Sequence, residues 1–373
     1  MKKKKIEIFG LVVNILLTIL FTATLLITFN KHIANIPEEQ EIILLLIIFF
    51  SIYITMYLQL IIHELGHLIF GLLSGYKFSS FRVGNIMLLK QGKNFKFKKI
   101  KIAGTAGQCL MSPPDLKNDR MPVLLYNLGG ALLNVISCII FFIIYLFVKE
   151  NNLISIIFEL SIAYGIYFAA LNAIPMKTGT IDNDGYNALS LILNPNSQKA
   201  MWTQLKVNEL ISKGTRLKNM PDEWFYIPKP IEMRNSLIAT VAVFTCNRLI
   251  DQHNFDEAND KMKQILRAKT AIVGIHRNLL VCDRIYCELL NDNKTAAKKL
   301  MTNELKNFMN SMKDFPTIIR TNYTYALLVE NDIDKANKYK KQFIEIGKTY
   351  PYQSDIRSEK ELIDIVTNIN KNK

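Results

Sequence analysis

The sequence predicts a mainly α-helical protein with a polytopic membrane domain over residues 1–195 and a soluble helical domain over 196–373. Half of the residues are hydrophobic, yet the mean hydropathy is only +0.14, so an apolar region and a soluble region share the chain. Long apolar runs occupy the first half, and charged residues become frequent beyond about residue 186. A chain of 373 residues has room for two such domains.

Four apolar runs predict transmembrane helices at about 7–29, 42–73, 123–148 and 153–174. A bilayer core about 30 Å thick requires about 20 apolar residues in a helix, and each run is long enough. The first run follows four lysines, as a signal peptide would. Its apolar stretch exceeds the usual 7–15 residues, and no small-residue cleavage site follows, so we expect a retained anchor.

The distribution of positive charge predicts the orientation of these spans. The formal net charge is +14, and segment 76–122 carries ten Lys or Arg against two acidic residues. The positive-inside rule therefore places this segment, the N-terminus and the C-terminus in the cytoplasm. Nucleic-acid binding would also explain a basic chain, but basic loops beside apolar spans are expected from topology alone. We expect the bilayer, and no nucleic acid, as a partner.

The segment between the second and third spans predicts a small β region over 76–112 on the cytoplasmic membrane surface. Phenylalanines and isoleucines alternate with lysines there, and Gln91-Gly92-Lys93-Asn94 resembles a turn between two strands. Ser112-Pro113-Pro114 should end regular structure before the third span. The five cysteines form no C-x-x-C pair, which indicates small buried side chains rather than a disulfide framework.

The C-terminal domain shows a weak internal repeat. A polar turn precedes an alanine at Ala258, Ala296 and Ala336, which lie 38 and 40 residues apart. Small residues after a turn allow helices to pack closely, as in tetratricopeptide-like repeats, although the usual period is 34. A plain helical bundle explains the pattern equally well.

The strongest local motif is H-E-x-x-H at His63, Glu64 and His67, inside the second apolar run. Residues i and i+4 share a helix face, so both imidazoles can hold one metal ion while Glu64 handles protons. Ionisable groups are costly in a membrane helix, so they are rarely there without a function. Zinc needs a third protein ligand, and Asp182 or Asp184 after the fourth span can provide it. Because the second apolar run is longer than a bilayer core requires, we expect its helix to be either tilted or broken near Gly66.

Three motifs together resemble the site-2 protease family of intramembrane metalloproteases, peptidase family M50. They are the H-E-x-x-H helix, the G-x-x-x-N of Gly130 to Asn134, and the N-x-x-P of Asn172 to Pro175 followed by Asp184-Gly185. The resemblance covers about residues 42–190. It implies one Zn²⁺ per chain, bound by His63, His67 and Asp184, with Glu64 as the catalytic acid/base.

The same resemblance implies that Asn134 and Asn172 position substrate, although each asparagine could equally bond a neighbouring helix. We expect hydrolysis of a peptide bond in or near a transmembrane segment of a signalling protein, a signal-peptide remnant or a peptide pheromone. An inactive adaptor that binds transmembrane segments is the alternative. The helical C-terminal domain could recruit a cytosolic protein in either case. The richness in lysine, asparagine and isoleucine suggests a bacterial cell membrane.

Overall fold

The computed structural model is mainly helical and contains one small antiparallel sheet. It describes residues 2–33, 38–91, 94–100, 105–118, 120–176 and 182–371. The described chain forms two compact units. The first contains residues 1–77, 106–109 and 122–193, and the second contains 78–105, 110–121 and 194–373. The β region is therefore grouped largely with the C-terminal helices.

The first unit contains four helices long and apolar enough to cross a membrane, as the sequence predicts. They are α1 (Lys2–Ile33), α2 (Glu38–Leu73), α3 (Leu124–Val148) and α4 (Asn152–Ala173). Most large side chains on their surfaces are exposed apolar groups, which is the surface that lipid requires. A fifth, short helix, α5 (Asp184–Leu193), completes this unit.

The second span is continuous through the H-E-x-x-H motif, so the alternative of a break at Gly66 is wrong. Its apolar part, Ile42–Leu73, is 32 residues long. A helix of that length extends about 48 Å at 1.5 Å per residue, which exceeds a bilayer core of about 30 Å. Gly75 then ends the helical segment with a backbone φ of +85°, a conformation that glycine adopts without strain.

Close packing of α2 on α3 depends on two glycines. A Cβ atom on Gly66 would lie 2.2 Å from the backbone oxygen of Gly129, and one on Gly129 would lie 2.6 Å from the oxygen of Gly66. No side chain fits at either position, so the two backbones touch. Small residues allow such approaches between membrane helices. This crossing fixes α3 directly against the turn of α2 that carries the motif.

Four strands form a sheet in the order β3-β2-β1-β4, which confirms a small β region. They are β1 (Lys77–Val83), β2 (Ile86–Gln91), β3 (Asn94–Lys99) and β4 (Gly107–Ser112). Gln91 pairs with Asn94 at the end of the β2–β3 hairpin; the predicted turn residues 92–93 lie outside the described residues. Met87 and Leu89 are fully buried, and they pack with Ile100 and Tyr350.

The rest of the second unit is helical, and its helices surround one large apolar core. In chain order the helices are α6 (Pro195–Ser212), α7 (Ser236–Asp251), α8 (Phe255–Arg267), α9 (Gly274–Leu290), α10 (Lys294–Leu300), α11 (Asn303–Ser311), α12 (Pro316–Tyr325), α13 (Ile333–Thr349) and α14 (Gln353–Lys371). All five cysteines of the chain are buried and unpaired.

Turns followed by a buried alanine recur in the C-terminal helices, but the buried alanine of the middle copy is not the predicted Ala296. The turns after α7, after α9 and before α13 each contain a residue of positive φ: His253, Asp292 and Asn331. The buried alanines that follow are Ala258, Ala297 and Ala336, whereas Ala296 is partly exposed. The positive-φ residues and the buried alanines each recur every 39 residues, whereas the predicted spacings of the alanines are 38 and 40. Because the tetratricopeptide period is 34, that assignment is not confirmed.

Candidate metal centre and active site

His63 and His67 lie one turn apart on α2, and both are buried. Their Nε2 nitrogens are 3.2 Å apart, although the side chains leave the helix at different residues. Helical periodicity puts residues i and i+4 on one face, and the fold here turns that face inward. The sequence prediction that the two imidazoles converge therefore holds in the structure.

The side chain of Asp184, the first residue of α5, lies close to these two nitrogens. Its Oδ2 oxygen lies 3.1 Å from Nε2 of His63 and 3.3 Å from Nε2 of His67. Zinc bonds of about 2 Å at tetrahedral angles place donor atoms about 3.3 Å apart. The three separations thus fit one zinc ion with three protein ligands. Asp182 is not part of this cluster among the described residues.

Asp184 reaches the histidines because the preceding residue fixes the start of α5. The Asn183 side chain accepts hydrogen bonds from the backbone nitrogens of Met176 at 3.0 Å and Tyr186 at 2.9 Å. Its amide also donates to the backbone oxygens of Leu171 and Ile174. This one side chain joins the end of α4 to the first turn of α5, a role typical of an N-cap asparagine.

Gly185 makes the same junction sterically possible. A Cβ atom at this position would lie 2.2 Å from the backbone oxygen of Ala173, at the end of α4. Burial raises the pKa of the Asp184 carboxyl, but His67 and His63, when protonated, more than offset that effect and hold the pKa below its usual range. The ionised carboxylate is the form that binds a metal ion.

The other nitrogen of each imidazole is bound to an oxygen atom. Nδ1 of His63 lies 2.8 Å from Oδ1 of Asn134, and Nδ1 of His67 lies 2.7 Å from the backbone oxygen of Tyr126. Both oxygens are acceptors, so each Nδ1 carries the hydrogen and donates it. Each Nε2 then presents its lone pair to the centre. Such outer contacts fix the tautomer and the ring orientation of metal-binding histidines.

Gly130 provides the space for one of these rings. A Cβ atom on Gly130 would lie between 2.5 and 2.7 Å from three atoms of the His63 imidazole. The G-x-x-x-N motif of α3 therefore has two physical functions at the site. Its glycine lets the ring approach the helix, and its asparagine, one turn later, receives the hydrogen of the ring.

Gln59 orients Asn134, and the sequence analysis missed it. Its Oε1 accepts hydrogen bonds from Nδ2 of Asn134 at 2.7 Å and from the hydroxyl of Ser137 at 3.2 Å. Its Nε2 donates to the backbone oxygen of Ser161 at 2.8 Å. Gln59 is fully buried. A polar residue one turn before His63 in an apolar helix was the available signal.

The two asparagines predicted to position substrate have different surroundings. Asn134 is buried and bonds His63 and Gln59. Asn172 donates from Nδ2 to the backbone oxygen of Phe168 in its own helix, at 2.9 Å. The contacts of Asn134 hold His63, a candidate metal ligand, and the contact of Asn172 lies within α4. A role in substrate positioning stays a prediction for both residues.

Glu64 is buried, follows His63 directly on α2 and lies next to β4. A Cβ atom on Gly107 would lie only 2.2 Å from its Oε1 oxygen, so the backbone at the start of β4 runs directly past this carboxylate. Cys109 also lies on β4, and burial, followed by the charge of Glu64, raises the pKa of its thiol. Among the described residues, its sulfur is not one of the donor atoms that lie close enough together to hold one ion.

In this chain a long apolar helix carries an H-E-x-x-H pair, and a later helix adds an aspartate to it. This arrangement is typical of membrane-embedded metallopeptidases. The sequence model of peptidase family M50 matches residues 49–341. The chain belongs to peptidase family M50, the site-2 protease family. Its members are metalloproteases and are zinc-dependent in general. Searches of curated proteins and of solved structures found no match.

Proposed function

We propose that this chain is an intramembrane zinc metalloendopeptidase that hydrolyses peptide bonds in or near transmembrane segments. The observation that carries the proposal is the convergence of the three donor atoms, 3.1 to 3.3 Å apart, beside the Glu64 carboxylate. A buried ionisable cluster of this kind is costly in an apolar helix and marks a functional site. Membership of family M50 supports the same activity.

His63, His67 and Asp184 would hold one zinc ion, which leaves a fourth position for water or substrate. Zinc, when bound, supplies a Lewis acid that polarises the scissile carbonyl and acidifies a water molecule. Glu64 takes a proton from the attacking water and transfers it to the leaving amine nitrogen.

The substrate must leave its helix before cleavage, since helical carbonyls are hydrogen-bonded and shielded. We infer that β4 receives the unwound segment as an added strand. In the described sheet β4 is at one edge, which is the position where a further strand can be added. Its first residue, Gly107, lies against Glu64, so a strand paired there would pass close to the proposed acid/base. Main-chain pairing would present peptide bonds with little dependence on sequence.

An inactive adaptor with the same fold is the alternative. The four residues that the chemistry requires are all present and lie together, and an adaptor has no need of them. The C-terminal helices can recruit a cytosolic partner under either function. We place both termini in the cytoplasm of a multi-pass protein in a bacterial cell membrane, on the strength of the basic segment 76–122.

Substrate trapping tests the function. The full chain carrying Glu64→Gln is expressed in its own cell type, cross-linked and purified, and bound membrane peptides are identified by mass spectrometry. Each trapped candidate is then incubated with the purified wild-type chain. A protease cleaves at least one candidate, and Glu64→Gln leaves it intact. If the wild type binds the candidates but cleaves none of them, the adaptor function is favoured.

A further inference from the structure

The second unit contains a cavity of about 230 Å³ whose lining comes only from its own residues. Helices α7, α9 and α14 contribute most of the wall, and Phe244, Leu279 and Phe315 are among its apolar residues. Ligand pockets combine such walls with a few polar groups that converge on the ligand. The proposed proteolytic chemistry uses none of these residues.

Polar side chains from three different helices line this cavity without adequate partners. Nδ1 of His276 on α9 is buried and makes no hydrogen bond. The Asn247 amide on α7 has no side-chain hydrogen bond among the described residues. Asp355 on α14 has one, from the hydroxyl of Ser354 at 3.4 Å. Buried polar atoms are normally satisfied, so the unpartnered Nδ1 of His276, in a cavity that Asn247 and Asp355 also line, indicates room for a polar ligand.

The other acidic groups of the cavity already have cations. Asp283 and Glu359 bond the buried guanidinium of Arg320, and Asp251 bonds Arg216. No cation lies within ion-pair distance of Asp355 in the described chain. Asp355 is therefore the acidic group of the cavity that has no cationic partner among the described residues, and a cation beside it would stabilise its ionised form.

The environment of Asp355 and His276 agrees with a cationic ligand. Burial, reinforced by the charges of Glu359 and Asp251, raises the pKa of Asp355 to about 7. Burial lowers the pKa of His276 to about 4, so its ring is neutral and one nitrogen can accept a hydrogen bond. Asp355, His276 and the Asn247 carbonyl oxygen together offer acceptors to a cation with several N–H groups.

We propose that this cavity binds one guanidinium or alkylammonium group, with Asp355 as its counter-ion and Asn247 and His276 as additional acceptors. The aromatic walls receive the apolar stem, and aromatic rings also favour neighbouring cations. A cavity of this size holds a group as large as one amino-acid side chain. The group belongs either to a free small amine or to an arginine or lysine side chain of a peptide.

Binding measurements on the full-length Glu64→Gln chain in detergent test the proposal and distinguish the two sources. Agmatine represents a free amine, and N-acetyl-glycyl-arginyl-glycinamide represents a basic side chain. Calorimetry should detect at least one probe with a dissociation constant below about 1 mM. Binding of agmatine alone assigns a free amine, and tighter binding of the peptide assigns a protein partner.

Asp355→Asn should weaken that binding at least about tenfold, because it removes the counter-ion and preserves the side-chain shape. Asp364→Asn is the matched control, since Asp364 is exposed on the same helix and should bind as the parent does. Asn247→Ala should weaken binding several-fold and provides an independent variant. If neither probe binds with a dissociation constant below about 1 mM, or if Asp355→Asn binds as tightly as Asp364→Asn, the proposal is wrong.

Discussion

Oδ1 of Asn134 accepts the hydrogen of His63 Nδ1 at 2.8 Å, while the amide nitrogen of the same asparagine donates to Gln59 at 2.7 Å. The amide of Asn134 cannot rotate without losing both bonds. His63 therefore has a fixed tautomer in which Nε2 faces the other two proposed ligands. A buried polar chain, from the backbone of α4 through Gln59 and Asn134, thus reaches the metal centre.

Gln59→Leu should weaken zinc retention by about 10- to 100-fold, the range known for outer partners of metal-binding histidines. The substitution keeps the volume but releases Asn134. Thr55→Val is the matched control: Thr55 is equally buried on α2, and its hydroxyl bonds only the backbone of its own helix. Zinc competition with a chelator measures both variants. Equal retention in the two would show that Gln59 does not position the site.

Asp184→Asn should lose zinc far more readily than Asp182→Asn. Only Asp184 places an oxygen within 3.3 Å of both imidazoles. An amide oxygen is a weaker ligand than a carboxylate, and it no longer neutralises the ion. Time-resolved metal loss to a chelator separates the two variants. If Asp182→Asn loses zinc faster than Asp184→Asn, Asp182 is the third ligand instead.

His63 and His67 could be predicted as candidate metal ligands because they lie in one motif with helical spacing, whereas the choice of Asp184 comes from the family resemblance. Asn183 could not be predicted, and Gln59 is marked only as a polar residue in an apolar helix, since the importance of a single amide side chain depends on what the fold places beside it. The same limit explains the misassigned alanine. Ala296 and Ala297 are adjacent, and only packing shows that Ala297 is the buried one.

Gly107→Ala should reduce cleavage at least about tenfold without loss of zinc. The new methyl group would overlap the Glu64 carboxylate, at 2.2 Å from its oxygen, and force it to move. None of the three proposed ligands lies in that contact, so metal content is the internal control. Cleavage of a trapped substrate and zinc content are measured on the same preparation. If Gly107→Ala cleaves the substrate at the wild-type rate, β4 is not part of the active site.

The stability of the second unit should fall as pH rises from about 4 to about 7. Burial raises the pKa of Asp355 from 3.8 to about 7 and that of Asp283 to about 6, so the folded state keeps protons that the unfolded state has released. Burial lowers the pKa of His276 to about 4, which offsets only one of these two effects below about pH 6.5. A state that binds more protons is favoured at low pH, and its advantage is lost as pH rises. Asp355 lies on α14, so hydrogen exchange of the α14 backbone amides in the full chain measures this loss of stability. The exchange rates are corrected for the intrinsic effect of pH on amide exchange.

Asp355→Asn should flatten the pH dependence of that protection, because an amide does not titrate. Asp364→Asn, exposed on the same helix, should leave it unchanged. A slope of equal size in the Asp355→Asn chain would mean that Asp355 does not hold the proton. Protection that increases between pH 5 and 7 in the wild type would contradict the direction itself.

Zinc content per chain tests the central claim most directly, because it needs no substrate. The wild type and Glu64→Gln are purified in detergent beside His63→Ala/His67→Ala, and metal is measured by mass spectrometry against protein concentration. One zinc per chain is expected in the first two, since Glu64 is not one of the three donors, and almost none in the double variant. Equal zinc in all three preparations would contradict the proposed centre.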